Sequence, residues 1–146
     1  MPRKLGPAPP PTSEAVSRLM KSNKSKNTIP ELLLRSALRK AGIVGYRLHW
    51  DKAPGRPDIS FTRHKLAVFV QGCFWHRCPI CRPPVPKAHR SYWERKFELN
   101  VERDRKMRND LAADGWRTLV LWEHEIRNDL PQCVRRIEIA LGRAGT

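Results

Sequence analysis

Ten consecutive residues, Gly72-Cys73-Phe74-Trp75-His76-Arg77-Cys78-Pro79-Ile80-Cys81, hold much of the chemistry open to this chain. Cys73, Cys78 and Cys81 are separated by four and two residues, a spacing that lets one short loop wrap a tetrahedral ion through its thiolates. Phe74 and Trp75 form a bulky apolar pair suited to insertion into something that stacks. His76 offers an imidazole whose free pKa lies near neutrality, suited to moving a proton. The run follows Leu66-Ala67-Val68-Phe69-Val70, a continuous apolar stretch of the kind found in buried central strands.

A structural zinc site closes with four ligands, so the three thiols need a partner from elsewhere. His124 lies just past a second apolar stretch, residues 116–122, which can run beside the first and carry His124 to the loop. Cys133 is the competing donor. Its helical spacing with Ile137 and Ala140 puts it on a core face, where cysteine acts as a small apolar residue. His124 is therefore preferred, with Cys133 left open. A closed site keeps no position for water, so the reactive groups must lie elsewhere. Asp58 is one candidate: it follows the turn residues Gly55-Arg56-Pro57 at the start of a strand, where a carboxylate can hold a cation. Taken alone, a carboxylate after such a turn more often caps backbone N–H groups.

The surrounding chain says what such a loop would meet. Lys and Arg number 29 against 14 Asp and Glu, a net charge of +15. Such an excess attracts polyanions through counterion release, which makes nucleic acid the expected partner. At 146 residues one domain can bury a core without disulfide staples. The four cysteines then read as metal ligands or core residues in a reducing compartment. No apolar run reaches the roughly 18 residues that cross a membrane, so no membrane association is expected. Met1-Pro2-Arg3-Lys4 leads into no hydrophobic signal core, and a cytoplasmic location is expected.

Residues 1–13, rich in proline, are expected to be disordered, ahead of a single domain at 14–146. Its first part, 14–27, forms a basic arm with Arg18, Lys21, Lys24 and Lys26 around Val16, Leu19 and Met20, placed to lie along a phosphate backbone. Thr28-Ile29-Pro30-Glu31 is a helix start, with Thr28 as cap, Pro30 in the first turn and Glu31 at the capping-box position. Leu32, Leu33, Ala37 and Leu38 provide its apolar stripe. Strands are expected at 46–50, 58–62 and 65–70. Ser91-Tyr92-Trp93-Glu94 has the capping-box pattern of a long charged helix reaching Ala113, where Asp114-Gly115 ends it. A strand at 116–122 and a helix after Pro131 complete the order, which implies an α/β fold around a mixed sheet.

Five segments in this order carry a resemblance. They are Pro54-Gly55-Arg56-Pro57-Asp58, the run from Val68 to His76, Asn100-Val101-Glu102-Arg103-Asp104-Arg105, Gly115-Trp116-Arg117 and Trp122-Glu123. Together they resemble the very short patch repair endonuclease family, which has a restriction-endonuclease-like core. The resemblance implies a three-layer fold, a central mixed β-sheet flanked by helices, with a zinc-stapled loop. It implies a Mg²⁺-dependent DNA endonuclease, monomeric and associated with the bacterial nucleoid. Its substrate would be double-stranded DNA holding a T·G mismatch left by 5-methylcytosine deamination, nicked 5′ of the thymine to start repair alongside other mismatch-repair proteins.

Carried over by position, Asp58 matches the metal-binding aspartate, with the Val70 carbonyl as a second Mg²⁺ ligand. His76 matches the histidine that deprotonates the attacking water, and Glu31 a supporting acidic residue. Phe74, Trp75 and Trp93 match aromatics that wedge into the stack beside the mismatch, and Met20 a residue of the arm that closes on DNA. Lys21, Lys24, Lys26 and Arg77, with Lys87 and the basic residues of the helix around 95–108, would track phosphates. The chain also departs from the family pattern. Val70 stands where a threonine is frequent, Gln71 where some members have a second histidine, and His124 where a cysteine can occur. No Glu-x-Lys follows Asp58, which a histidine base makes dispensable. Two other readings fit these residues: a nuclease of the same core with another target, and a zinc-stapled DNA-binding module without catalysis.

Overall fold

The computed structural model describes residues 27–143. Met20, Lys21, Lys24 and Lys26 of the basic arm, and the proline-rich start, lie outside the described residues.

Helix α1 spans Ile29–Lys40 and begins as its sequence requires. The Thr28 Oγ1 accepts the Glu31 N–H at 3.4 Å, and Pro30 sits in the first turn where a missing N–H costs nothing. The buried face matches the expected stripe only in part: Leu38 is buried and Ala37 packs against the core as expected. Pro30, Glu31, Leu34 and Leu38 turn inward, whereas Leu32 and Leu33 are exposed. A step of about 100° per residue aligns 30, 34 and 38, and Leu32 and Leu33 fall on the opposite side.

Three strands follow: β1 at Arg47–Leu48, β2 at Ile59–Phe61 and β3 at Leu66–Gln71, joined antiparallel in that order. The first two are shorter than the alternation at 46–50 and 58–62 implies, because only Leu48↔Ile59 and Arg47↔Ser60 pair across them. Helix α2, Arg90–Ala113, then crosses over, and β4, Arg117–Trp122, returns parallel to β3. The helix does not use the expected capping box. It starts one residue before Ser91, on a left-handed His89 (φ 56°) with no side-chain cap, so Ser91 falls in the first turn. Glu94 instead pairs with Arg90 at 2.7 Å. Two helices close the chain, α3 at Glu123–Asn128 and α4 at Leu130–Ala140. The short α3 is not legible beforehand. It is held by Glu125, whose carboxylate accepts the Trp122 N–H at 3.0 Å.

The strand order β1-β2-β3-β4 is mixed, and its two faces bury different layers. Leu66 and Val68 pack with Leu34 and Leu38 of α1 and with Cys133, Val134 and Ile137 of α4. Ala67 and Phe69 face the other way, against Met107 and Leu111 near the end of α2 and Trp116 just before β4. The period-2 alternation of β3 thus separates two half-cores, and the fold is the expected three-layer α/β arrangement. Among the described residues no helix is long and apolar enough to cross a membrane.

Candidate active site and metal centre

The parallel register of β3 and β4 decides where the chemistry gathers. Gln71 pairs with Trp122, so both strands end at the same level and their following residues leave together. Cys73 and His124 each lie two residues beyond that pair. The carboxyl ends of neighbouring parallel strands are where α/β folds gather ligand-binding residues.

Three thiols converge there on one nitrogen. The Sγ atoms of Cys73, Cys78 and Cys81 lie 3.3, 3.7 and 3.2 Å from Nδ1 of His124. A ring nitrogen has one hydrogen or one lone pair, so hydrogen bonding can serve at most one of these sulfurs. Bond lengths of about 2.3 Å for Zn–S and 2.0 Å for Zn–N put tetrahedral S···N edges near 3.5 Å, the spacing seen. All four donors lie within 4.8 Å of one another. The set therefore fits a closed zinc site. Burial pushes the Cys73 thiol up to about 12, a cost that a cation among the thiolates would offset. Cys133, 1% exposed, is packed in the half-core between β3 and α4 and takes no part in the group.

His76 projects from the same loop onto α2. Its Nδ1 lies 2.6 Å from Oδ2 of Asp104, a buried carboxylate, while Asn100 of the same helix donates to the Trp75 carbonyl at 2.9 Å. Asn100 and Asp104 are one helical turn apart, so a single face of α2 holds both the loop's backbone and its imidazole. A carboxylate on Nδ1 leaves Nε2 with the lone pair able to accept a proton. Asp104 was legible only as part of a family run; its orienting role depends on where α2 crosses.

Asp58 stands just before β2, where β2 and β3 part. Its Oδ2 accepts the Val70 N–H at 2.7 Å. The N–H and C=O of a strand residue face the same edge, so the Val70 carbonyl turns towards Asp58 as well. These hard oxygen donors fit a magnesium-class cation. Burial, and then the nearby Glu31 carboxylate, raise the Asp58 pKa to about 7, against the opposing hydrogen bond from Val70. The turn before Asp58 is fastened to α2: Gly55 (φ +77°) lies so close to Met107 that an added Cβ would fall 1.9 Å from its Cγ.

Glu31 is 1% exposed although charged, and two side chains account for that. Arg35 Nη1 donates to its Oε2 at 3.1 Å, and His49 Nε2 lies 3.0 Å from the same oxygen. His49 Nδ1 in turn faces Asp58 Oδ1 at 4.0 Å. The sequence carried no signal for His49, a lone histidine at the end of a two-residue strand. Only the sheet places it between the two carboxylates.

The aromatic residues form one cluster. Phe74 meets Trp75 and Phe97 edge-on with centroids 5.0 and 5.2 Å apart, and Trp93 stacks on Phe97. Phe74 and Trp75 are half-buried, but Trp93 is 3% exposed. Trp93 thus has no open ring face as the chain stands. It supports the other two from beneath, because α2 turns residues 93 and 97 inward together. Arg77 also differs from expectation. Its guanidinium lies 4.1 Å over the Phe97 ring, and donates to the carbonyls of Phe74 and Pro83, so it clasps the loop instead of reaching outward. Lys87, Arg103, Arg105 and Arg108 are exposed.

Comparison with known proteins agrees with this geometry. Residues 11–81 match the family model described as DNA mismatch endonuclease Vsr. The chain is 43% identical over 129 residues to a type II nicking enzyme, V.NaeI, of Lentzea aerocolonigenes, spanning 85% of this chain and 76% of that protein. It is 44% identical over 108 residues to the type II nicking enzyme V.XorIIP of Xanthomonas oryzae pv. oryzae, spanning 74% and 79%. It is also 34% identical over 111 residues to the DNA mismatch endonuclease Vsr of Escherichia coli, spanning 76% and 70%.

Proposed function

From membership of the DNA mismatch endonuclease Vsr family, to which this chain belongs as a DNA endonuclease, we propose that it nicks one strand 5′ of the thymine in a T·G mismatch, with Mg²⁺ at Asp58 and a structural Zn²⁺.

His76 takes the proton of the attacking water through Nε2, while Asp104 holds the ring in the required tautomer and steadies the imidazolium that results. Water attacks the phosphorus, the bond to the leaving sugar oxygen breaks, and one strand is opened. A divalent cation held by Asp58 and the Val70 carbonyl would polarise the phosphate and neutralise charge on the leaving oxygen. Glu31 lies beside that carboxylate and is held in its buried position by Arg35. Cys73, Cys78, Cys81 and His124 fasten the loop to the end of β4, and so fix His76 relative to Asp58.

The observation that carries the mismatch reading is the position of Phe74 and Trp75, adjacent to the proposed base on one fastened loop. Among the described residues Trp75 Nε1 is buried with no hydrogen-bond partner, an arrangement that costs about 1–3 kcal/mol. Inserting such a side chain costs a few kcal/mol of unstacking, least at a mismatched step. Exposed Lys87, Arg103, Arg105 and Arg108, with Lys21, Lys24 and Lys26 of the arm, would hold the flanking phosphates, and Met20 would close on the DNA with that arm.

A second reading has its own support. The relatives V.NaeI and V.XorIIP are named nicking enzymes, and nicking at a fixed sequence without a mismatch would use the same Asp58 and His76. Duplexes differing only in T·G, T·A or C·G at one position separate the two. Nicking confined to T·G supports the mismatch reading, and equal nicking of all three refutes it. No nicking under any divalent metal would leave a binding module.

A further inference from the structure

His49 occupies a position that the reaction as described does not use. It sits at the end of β1 in a left-handed conformation (φ 48°), and its ring bridges the space between Glu31 and Asp58. The two ring nitrogens have different neighbours. Nε2 is 3.0 Å from Glu31 Oε2, an oxygen that also accepts from Arg35, so the imidazole is the donor in that contact. In the neutral ring that puts the hydrogen on Nε2 and the lone pair on Nδ1. Nδ1 faces Asp58 Oδ1 at 4.0 Å, too far for a hydrogen bond. Two donors on one small divalent ion at about 2.0–2.2 Å each stand no more than roughly 4.3 Å apart, so this separation suits a shared ion.

The arrangement has the form of a metal-binding histidine, one nitrogen held by a carboxylate and the other left bare. We propose that His49 Nδ1 is a ligand of the divalent cation held by Asp58, that Glu31 orients the ring without itself being a ligand, and that the resulting mixed nitrogen–oxygen site selects Mn²⁺-class cations over Mg²⁺. The inference rests on the reading of Asp58 as the cation-holding carboxylate. Its physical basis is donor character. Carboxylate and carbonyl oxygens alone serve magnesium well, while an imidazole favours first-row transition ions.

The test uses the full, zinc-loaded chain freed of other divalent ions, with Mn²⁺ as probe and binding followed by loss of the free-ion electron paramagnetic resonance signal. Mg²⁺ is measured by competition. The expected result is Mn²⁺ bound at least about tenfold more tightly than Mg²⁺, falling by roughly 10–100-fold in His49→Gln while Mg²⁺ binding changes far less. In the wild-type chain, Mn²⁺ should broaden the His49 ring proton resonances at substoichiometric addition, a readout that needs no variant to fold. An unchanged Mn²⁺-to-Mg²⁺ ratio in folded His49→Gln, or unbroadened His49 resonances, overturns the proposal. Asp58→Asn separates the two levels. Mn²⁺ retained in that variant sinks the Asp58 site itself, whereas Mn²⁺ lost there but unaltered in His49→Gln sinks only the assignment to His49.

Discussion

Nδ1 of His76 lies 2.6 Å from Oδ2 of Asp104, joining a loop beyond β3 to the middle of α2. Because Asp104 is buried, the pair fixes both the ring's tautomer and its direction. Asp104→Asn keeps the shape but can offer an N–H to Nδ1, moving the hydrogen to Nε2, where the base is needed. Nicking should fall by roughly 10²–10⁴-fold in kcat with DNA affinity little changed. Single-turnover cleavage and a binding titration on the same duplex check this. A loss confined to binding would remove Asp104 from the base's support.

The thiol cluster predicts an ordered failure. Cys78→Ala or Cys81→Ser should lower the zinc content of purified protein below one equivalent and abolish nicking before DNA binding, because the fastened loop carries His76. Cys133→Ala should keep zinc and lose stability, by about 1 kcal/mol for a small buried side chain. Metal analysis beside a denaturant titration distinguishes them.

Asp58 predicts a pH dependence in the metal-free protein. Its folded pKa, raised to about 7, exceeds the free value of 3.8, so the folded state holds the proton more tightly than the unfolded chain. Stability from this group is complete below about pH 4 and is lost as pH rises towards 7. Asp58→Asn removes the titration yet still accepts the Val70 N–H. The stability of Asp58→Asn relative to wild type, measured in EDTA, should therefore increase between pH 4 and 8, and a flat difference would contradict the burial argument.

Gly55 predicts a coupling between the Asp58 turn and α2. Gly55→Ala places a Cβ against Met107 at positive φ, and should cost about 1–3 kcal/mol. Adding Met107→Ala should recover the steric share but not the conformational one. Denaturation of the four members of this double-mutant cycle reads the split.

Much of this was legible from residue types and spacing. The thiol spacing Cys73, Cys78, Cys81 is local, and a loop that short can only wrap one centre. The apolar runs at 66–70 and 116–122 specify buried strands, and Thr28 with Pro30 specifies a helix start, because each depends on near neighbours alone. The choice of His124 over Cys133 was weighted by such patterns yet decided by the β3–β4 register. Which face of α1 is buried, the burial of Trp93 and the turning-in of Arg77 were not readable, since each depends on what another layer presents. The same holds for Asp104 beside His76 and for His49 between Glu31 and Asp58. By itself the sequence determined the donor types and the local elements carrying them, through short-range sterics and periodicity. Only the tertiary structure decided which distant groups meet, because that meeting follows from strand register and helix crossing, which no local pattern encodes.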